Sequence, residues 1–439
     1  MKYEAEKLKE QYENSLWSRY LVILLGIWMI ATSLSFSYQS NLMFWNDCIV
    51  GILLCIFGFL ALDRNKNWAS WVCCFLGIWL QASPLFLWAP DPITYLNDTI
   101  IGVLAIAFSI LIPRVPEEKN LGDPDIPEGW SYNPSSWLQR MPVIFFGFIG
   151  WLIARYMGAY QLGYLNHIID PVFPNGTLSV ITSPLSKSFP ISDAGLGALA
   201  YTLEFLMGFK GSDRRWFTMP WFVILFAILV IPVGFVSIAL IISQPLIVGA
   251  WCFWCILTAI CMLIMLALTV DEAVAVLQYL TNYKKYGSSF MEVFWKGGVS
   301  SGSQYDFRSP PIAENISKTF PAMTWGFNVP WNLMLSALLG AWMIYSVHLF
   351  STNFAASNDY ILGALIITFS IIAMAEVTRS VRFINLLIGL WIFISTWVLP
   401  GFSEFGEINQ AIMGIILFHL SIPRGKILER YGSWTKYIK

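Results

Sequence analysis

The chain has 439 residues, 57% of them hydrophobic and only 12% charged, with a net charge of −1 and a mean hydropathy of +0.62. Soluble globular domains carry about 25% charged residues, so this composition excludes an ordinary soluble enzyme and requires a polytopic protein whose first partner is the lipid bilayer. A pI of about 6.3 and the lack of any basic stripe exclude a nucleic-acid partner.

Residues 1–19 are charged and polar, which predicts a cytoplasmic N-terminal segment; a cleavable signal would be basic and then at once apolar. Twelve apolar segments follow, at 20–36, 46–62, 69–87, 97–113, 141–158, 194–209, 219–243, 247–270, 331–350, 359–376, 383–399 and 407–422. They predict an all-α fold of about 12 transmembrane helices, the shorter ones completed by interfacial Trp and Tyr. If the N-terminus marks the inner side, every Lys and Arg of the 26 falls on that side except Lys187 and Arg155. The positive-inside rule then places both termini in the cytoplasm. Residues 114–140, rich in Pro, Gly and acidic groups, read as a cytoplasmic linker. Residues 271–330 read as a longer cytoplasmic connector whose first part, through Trp295, is a candidate interfacial helix, and 425–439 as a basic cytoplasmic tail.

The two ends of the chain repeat each other. Leu-Gly-x-Trp occurs at Gly26/Trp28, Gly77/Trp79 and Gly340/Trp342, with Ile in place of the Leu at Gly389/Trp391. Asn followed five residues on by Gly occurs at Asn46/Gly51, Asn97/Gly102, Asn358/Gly363 and Asn409/Gly414. The Gly-to-Asn spacings are 20, 20, 18 and 20 residues. Such a period means a duplicated two-helix hairpin. The glycines permit close helix approach, and each Asn is either a helix N-cap or a ligand contact. With Ser83-Pro84 after Trp79, and Ser395, Thr396 and Trp397 in the last unit, residues 20–113 and 331–424 resemble the SPW-repeat membrane hairpins. Each range is expected to form a four-helix bundle of two hairpins.

Residues 141–270 hold four spans with one long outer loop, 159–193, and end in Trp251-Cys252-Phe253-Trp254-Cys255. Two cysteines three apart on a helix lie on one face, one turn apart, where they can form an exchangeable disulfide. At the outer mouth of a transmembrane helix such a pair is placed to pass electrons between a water-side thiol and a lipid-soluble oxidant. The other five cysteines, Cys48, Cys55, Cys73, Cys74 and Cys261, lie inside apolar runs and read as packed or lipid-facing small hydrophobes. With the three histidines scattered, no metal site is expected.

The span order, the stretch Ser192-Asp193-Ala194-Gly195-Leu196-Gly197-Ala198-Leu199-Ala200-Tyr201-Thr202-Leu203-Glu204 and the CxxC together resemble the vitamin K epoxide reductase family. The resemblance implies a central four-helix domain over 141–270 that oxidises thiols and reduces a membrane quinone of the ubiquinone or menaquinone type. It implies that Cys255 serves the quinone and that Cys252 exchanges with an extracytoplasmic thiol protein or a small thiol. It further implies quinone contacts by Asp193, Leu196, Gly197, Tyr201 and Trp254, and a bacterial inner membrane as the setting. Asp193 is also read as the N-cap of span six, and Trp251 and Trp254 as members of an interfacial aromatic belt. Glu204 and Arg155 are functional candidates as charges within spans, or else pair or snorkel. The family's second cysteine pair, in the long loop, is absent: no cysteine lies between Cys74 and Cys252. The alternative functions are a membrane transporter, or a structural scaffold with a vestigial CxxC.

Overall fold

A computed structural model describes residues 2–63, 65–89, 91–111, 125–188, 190–285, 287, 289–299 and 305–438. The first part of the 114–140 linker, through residue 124, lies outside the described residues. Among the described residues the fold is all-α, with no strand beyond isolated bridges. Among the described residues ten helices are long and apolar enough to cross a bilayer, and the protein is an integral, multi-pass membrane protein. The other two expected spans are shorter or more polar helices: Asp193–Phe209, of 17 residues, and Glu404–Ser421, which opens on two glutamates.

The chain divides into two compact units. The first comprises Met1–Gly122, Phe148–Ile169 and Ile181–Gly211. Its helices α1 (Lys2–Ser35), α2 (Asn41–Leu60), α3 (Asn67–Phe86) and α4 (Pro92–Ile106, continued by a π turn to Leu111) pack as two hairpins, α1 on α2 and α3 on α4. The crossings are made at glycine. A Cβ on Gly26 would lie 2.6 Å from the Gly51 carbonyl oxygen, and one on Gly77 would lie 2.8 Å from that of Gly102. Val22, Met29, Leu54, Cys73, Leu80 and Ile101 fill the space between the hairpins. The second half of α5 (Trp137–Gln161) and all of α7 (Asp193–Phe209) complete this unit.

The second unit comprises Asp123–Gly147, Asp170–Val180 and Ser212–Lys439. It holds the short α6 (Gly176–Ile181) almost entirely, α8 (Arg215–Thr218), α9 (Pro220–Ser243, continued by a π turn to Val248) and α10 (Phe253–Thr281). After α11 (Phe290–Lys296) and α12 (Ile316–Met323) come α13 (Trp331–Phe350), α14 (Asn353–Met374), α15 (Arg382–Val398) and α16 (Glu404–Ser421). The last four repeat the hairpin plan, with Gly340 against Gly363 and Gly389 against Gly414. α9 packs on α10, and both touch α14.

Two expectations change. The span expected at 247–270 does not start at 247: Gly249 takes a φ of +70°, the left-handed region that glycine favours, and the helix restarts at Phe253. It also runs on to Thr281, past the expected end at 270. Asp271 and Glu272 do not stop it because both are partnered within the fold: Asp271 accepts the Tyr132 hydroxyl, and Glu272 binds Arg215 through two contacts of 2.6 Å and accepts Ser135. The repeated Asn residues are not N-caps. Ser40 and Ser403 cap α2 and α16, while each Asn accepts a tryptophan indole from the other hairpin of its bundle. The pairs are Trp28–Asn97 at 2.9 Å, Trp79–Asn46 at 2.7 Å, Trp342–Asn409 at 3.1 Å and Trp391–Asn358 at 3.0 Å. The two repeated sequence elements are therefore partners of one another.

Candidate functional site

In the second unit, the chain leaves α9 through Gln244–Val248, turns at Gly249 and enters α10 with Cys252 as its N-cap. Cys252 has extended backbone (φ −104°, ψ 113°), and its sulfur accepts the Cys255 N–H at 3.0 Å. The two residues form a disulfide, with Cα atoms 5.3 Å apart. The remaining backbone groups of Cys252 are satisfied: its N–H donates to the buried Gln244 Oε1 at 2.9 Å, and its carbonyl accepts Ile256 N–H at 3.0 Å. Cys252 is fully buried and Cys255 is half-buried.

A segment of the long loop, 170–180, lies against the residues on both sides of Cys252. Asp170 Oδ1 accepts the N–H groups of Val172 at 3.0 Å and Phe173 at 2.7 Å. Its Oδ2 accepts Thr177 N–H at 2.9 Å, the Thr177 hydroxyl at 2.5 Å and, across the chain, Phe253 N–H at 3.3 Å. Desolvation pushes the Asp170 carboxyl up, but the bonds from Thr177, Phe173, Val172 and Phe253 together outweigh it and hold it at about 2. Gly176 is buried against Trp251, where any Cβ would overlap the Trp251 carbonyl oxygen. The Trp251 ring meets Tyr360 of α14 edge-on at 5.8 Å, and Trp254 meets Phe253 edge-on at 5.1 Å.

Asp193, Leu196, Gly197 and Tyr201 belong to the first unit. Asp193 is the first residue of α7, not its N-cap; Ser192 caps, accepting Gly195 N–H at 2.9 Å. Asp193 Oδ1 accepts Ala194 N–H at 2.8 Å and Gln161 Nε2 at 2.5 Å. Gln161 also donates to Ser186 Oγ at 2.7 Å and accepts the Ser192 hydroxyl at 2.5 Å. Leu196 packs with Leu85, Tyr95 and Leu162. A Cβ on Gly197 would meet Ala154 at an ordinary 3.8 Å, and the buried Tyr201 ring lies on Gly150, where a Cβ would overlap it. Glu204 is fully buried, and neither of its oxygens has a hydrogen-bond partner. Arg155 stacks its guanidinium over Tyr95 at 4.9 Å and Trp151 at 5.3 Å.

No motif in the sequence marks Gln161 or Gln244, and Asp170 falls within the long outer loop 159–193. Asp170-Pro171 does carry a signal, because an Asp whose carboxylate binds the N–H groups two and three residues on is a common turn device. Nothing in the sequence marks its bond to Phe253, 83 residues away. The remaining cysteines are packed as expected: Cys73, Cys74 and Cys261 are buried, and Cys48 and Cys55 are half-buried. Among the described residues no group of three His, Cys, Asp or Glu side chains is arranged to hold a metal ion.

Chemically, the CxxC arrangement is a two-electron couple at a helix N-terminus, the position that favours a thiolate. Residues 141–270 match the vitamin K epoxide reductase family, and residues 16–112 and 330–423 match the SPW repeat domain. No curated protein and no solved structure matches the chain. The segment that matches this membrane redox-enzyme family thus lies in sequence between two segments that match the SPW repeat domain.

Proposed function

We propose that the protein is a thiol:quinone oxidoreductase in which Cys252 and Cys255 carry electrons from an extracytoplasmic thiol to a membrane quinone. The observation that carries this reading is the Cys252–Cys255 disulfide at the N-terminus of α10, inside the segment that matches the family. In the first half-reaction two substrate thiols are oxidised to a disulfide. The Cys252–Cys255 bond breaks, and each sulfur gains one electron and one proton. In the second, the dithiol gives two electrons and two protons to the quinone oxygens, which yields the hydroquinone and re-forms the bond. Thiolate is the attacking species in the exchange step.

With no cysteine between Cys74 and Cys252, the donor thiol has no relay within the loop and must react with the CxxC pair itself. The charge distribution supports a topology with both termini in the cytoplasm and the pair at the opposite face, and the family resemblance alone supports a bacterial inner membrane as the setting. The stretch Ser192–Glu204 supports quinone contact by Asp193, Leu196, Gly197 and Tyr201, and the family pattern adds Trp254. Asp193→Ala is expected to raise KM for the quinone more than it lowers kcat.

The deciding experiment is thiol trapping in intact membranes, read by mass spectrometry of the Cys252/Cys255 peptide, before and after oxidised quinone is added to reduced protein. Conversion of dithiol to disulfide in the native protein, and none in Cys255→Ser, is the expected result. A pair that stays reduced in the presence of quinone overturns the proposal and favours a transport or scaffold role.

A further inference from the structure

The bond between Asp170 and the first helical N–H of α10 bears on how readily the cysteine pair accepts electrons. A helix N-terminus carries the equivalent of roughly half a positive charge. Cysteines placed there commonly have lowered thiol pKa values, because the thiolate is stabilised. A disulfide whose reduced form is stabilised in this way is a stronger oxidant. In this chain that position is already taken by an anion. Asp170 accepts five hydrogen bonds, four of them within its own loop segment, and the fifth comes from Phe253, the residue next to Cys252. The same terminus has Cys252 as its N-cap and the Cys255 N–H directed at the Cys252 sulfur. A thiolate formed on either cysteine would share the helix terminus with the Asp170 carboxylate, and like charges at that range disfavour each other.

We propose that Asp170 is a positioning residue of the redox couple: its charge, delivered to the N-terminus of α10 by the loop, disfavours the reduced pair and lowers its reduction potential. This rests on the thiol:quinone reading above and goes beyond it by assigning the direction of the bias. Reduction of the disulfide takes two electrons and, for a thiol–thiolate product, one proton. The Asp170 charge opposes that product and therefore tilts the pair toward giving its electrons up to the quinone. The loop segment that has no relay cysteine retains a part in the chemistry through this carboxylate.

The test is the midpoint of the Cys252/Cys255 couple in the full-length protein. The protein is equilibrated with defined mixtures of reduced and oxidised glutathione, alkylated, and read at the level of the Cys252/Cys255 peptide. Asp170→Asn and Asp170→Ser both remove the charge. Each is expected to favour the reduced pair by about tenfold, a midpoint about 30 mV less negative for a two-electron couple. Thr177→Val keeps the charge and removes one of the carboxylate's local bonds, and is expected to titrate like the native protein. If the uncharged variants keep the native midpoint, or if Thr177→Val shifts as they do, the inference is overturned while the redox reading stands. A pair that takes up no electrons from any mixture overturns both.

Discussion

Asp170 braces its loop segment through four bonds and ties it to α10 through a fifth, from Phe253 N–H, and these bonds depend on its charge, so the attachment has a defined pH window. Its carboxyl sits at about 2 in the folded protein, below the ordinary aspartate value of about 3.9 expected when unfolded. A depressed folded value means stability that is fully present above the unfolded value and lost as pH falls through the folded one. The difference in melting temperature between native protein and Asp170→Asn should therefore be constant above about pH 5, narrow below about pH 4 and vanish only toward about pH 1. A difference independent of pH over that range would show that the carboxylate charge does not hold the segment. Gln244 acts at the same place without a charge. It is buried and accepts the Cys252 N–H, so Gln244→Ala leaves that N–H without its acceptor, at a cost of about 1–3 kcal/mol. Thermal unfolding of the oxidised protein measures it.

The two repeat bundles use one hairpin design, yet they differ at a buried pair beside the conserved-spacing Asn residues. In the first unit Asp47 and Asp98 are fully buried and face one another. Asp47 accepts the Tyr38 hydroxyl at 2.5 Å and Asn46 at 2.9 Å, and Asp98 has Asp47 and Asn97 as its polar neighbours. In the second unit the equivalent positions are Asp359 and Gln410, where the amide hydrogen-bonds the acid and Ser351 donates to it at 2.7 Å. Two carboxyls in one buried site repel when both are ionised, while an acid and an amide satisfy each other. Asp98→Gln, which gives the first bundle the chemistry of the second, is expected to raise its stability by about 1 kcal/mol. Asp98→Ala leaves a void and should lower it. A melting temperature for Asp98→Gln as low as that of Asp98→Ala would refute the comparison. The repeat itself was legible in the sequence, because a fixed spacing of Gly, Trp and Asn survives in one dimension. The pairing of each Trp with an Asn of the other hairpin was not. It joins positions 33 to 69 residues apart, and local pattern carries no information about which of four Asn residues faces which Trp.

Across the second unit, segments that read as separate connectors and a tail are bound together by buried polar contacts. The CxxC, the spans and the duplication could be read from composition and period, whereas these contacts join a loop, a linker and a terminus that share no periodic signal. Glu376, 1% exposed, is their centre. It accepts the backbone N–H groups of Leu428 at 2.8 Å and Glu429 at 3.0 Å, and the Tyr431 hydroxyl at 2.9 Å. Burial first, then the Asp271 and Glu376 carboxylates, push the Tyr431 phenol up, so it remains a donor. Arg308 grips Glu429 through two contacts of 2.6 Å, and Trp130 donates to Gln278 at 2.7 Å, which in turn donates to the Tyr431 carbonyl. Removing one member of such a network strands the others in a medium of low dielectric. Glu376→Ala should therefore cost about 3–5 kcal/mol and release the C-terminal segment. The release is measurable as new protease cleavage after residue 424 with the membrane helices intact. Glu376→Gln keeps an acceptor oxygen on only one side of the group, for either the Leu428 amide or the Glu429 amide and Tyr431 hydroxyl, and should cost less and cleave more slowly than Glu376→Ala. Equal cleavage of native protein and Glu376→Ala would mean that the tail is held by its apolar contacts alone, Tyr431 against Trp130 and Tyr132.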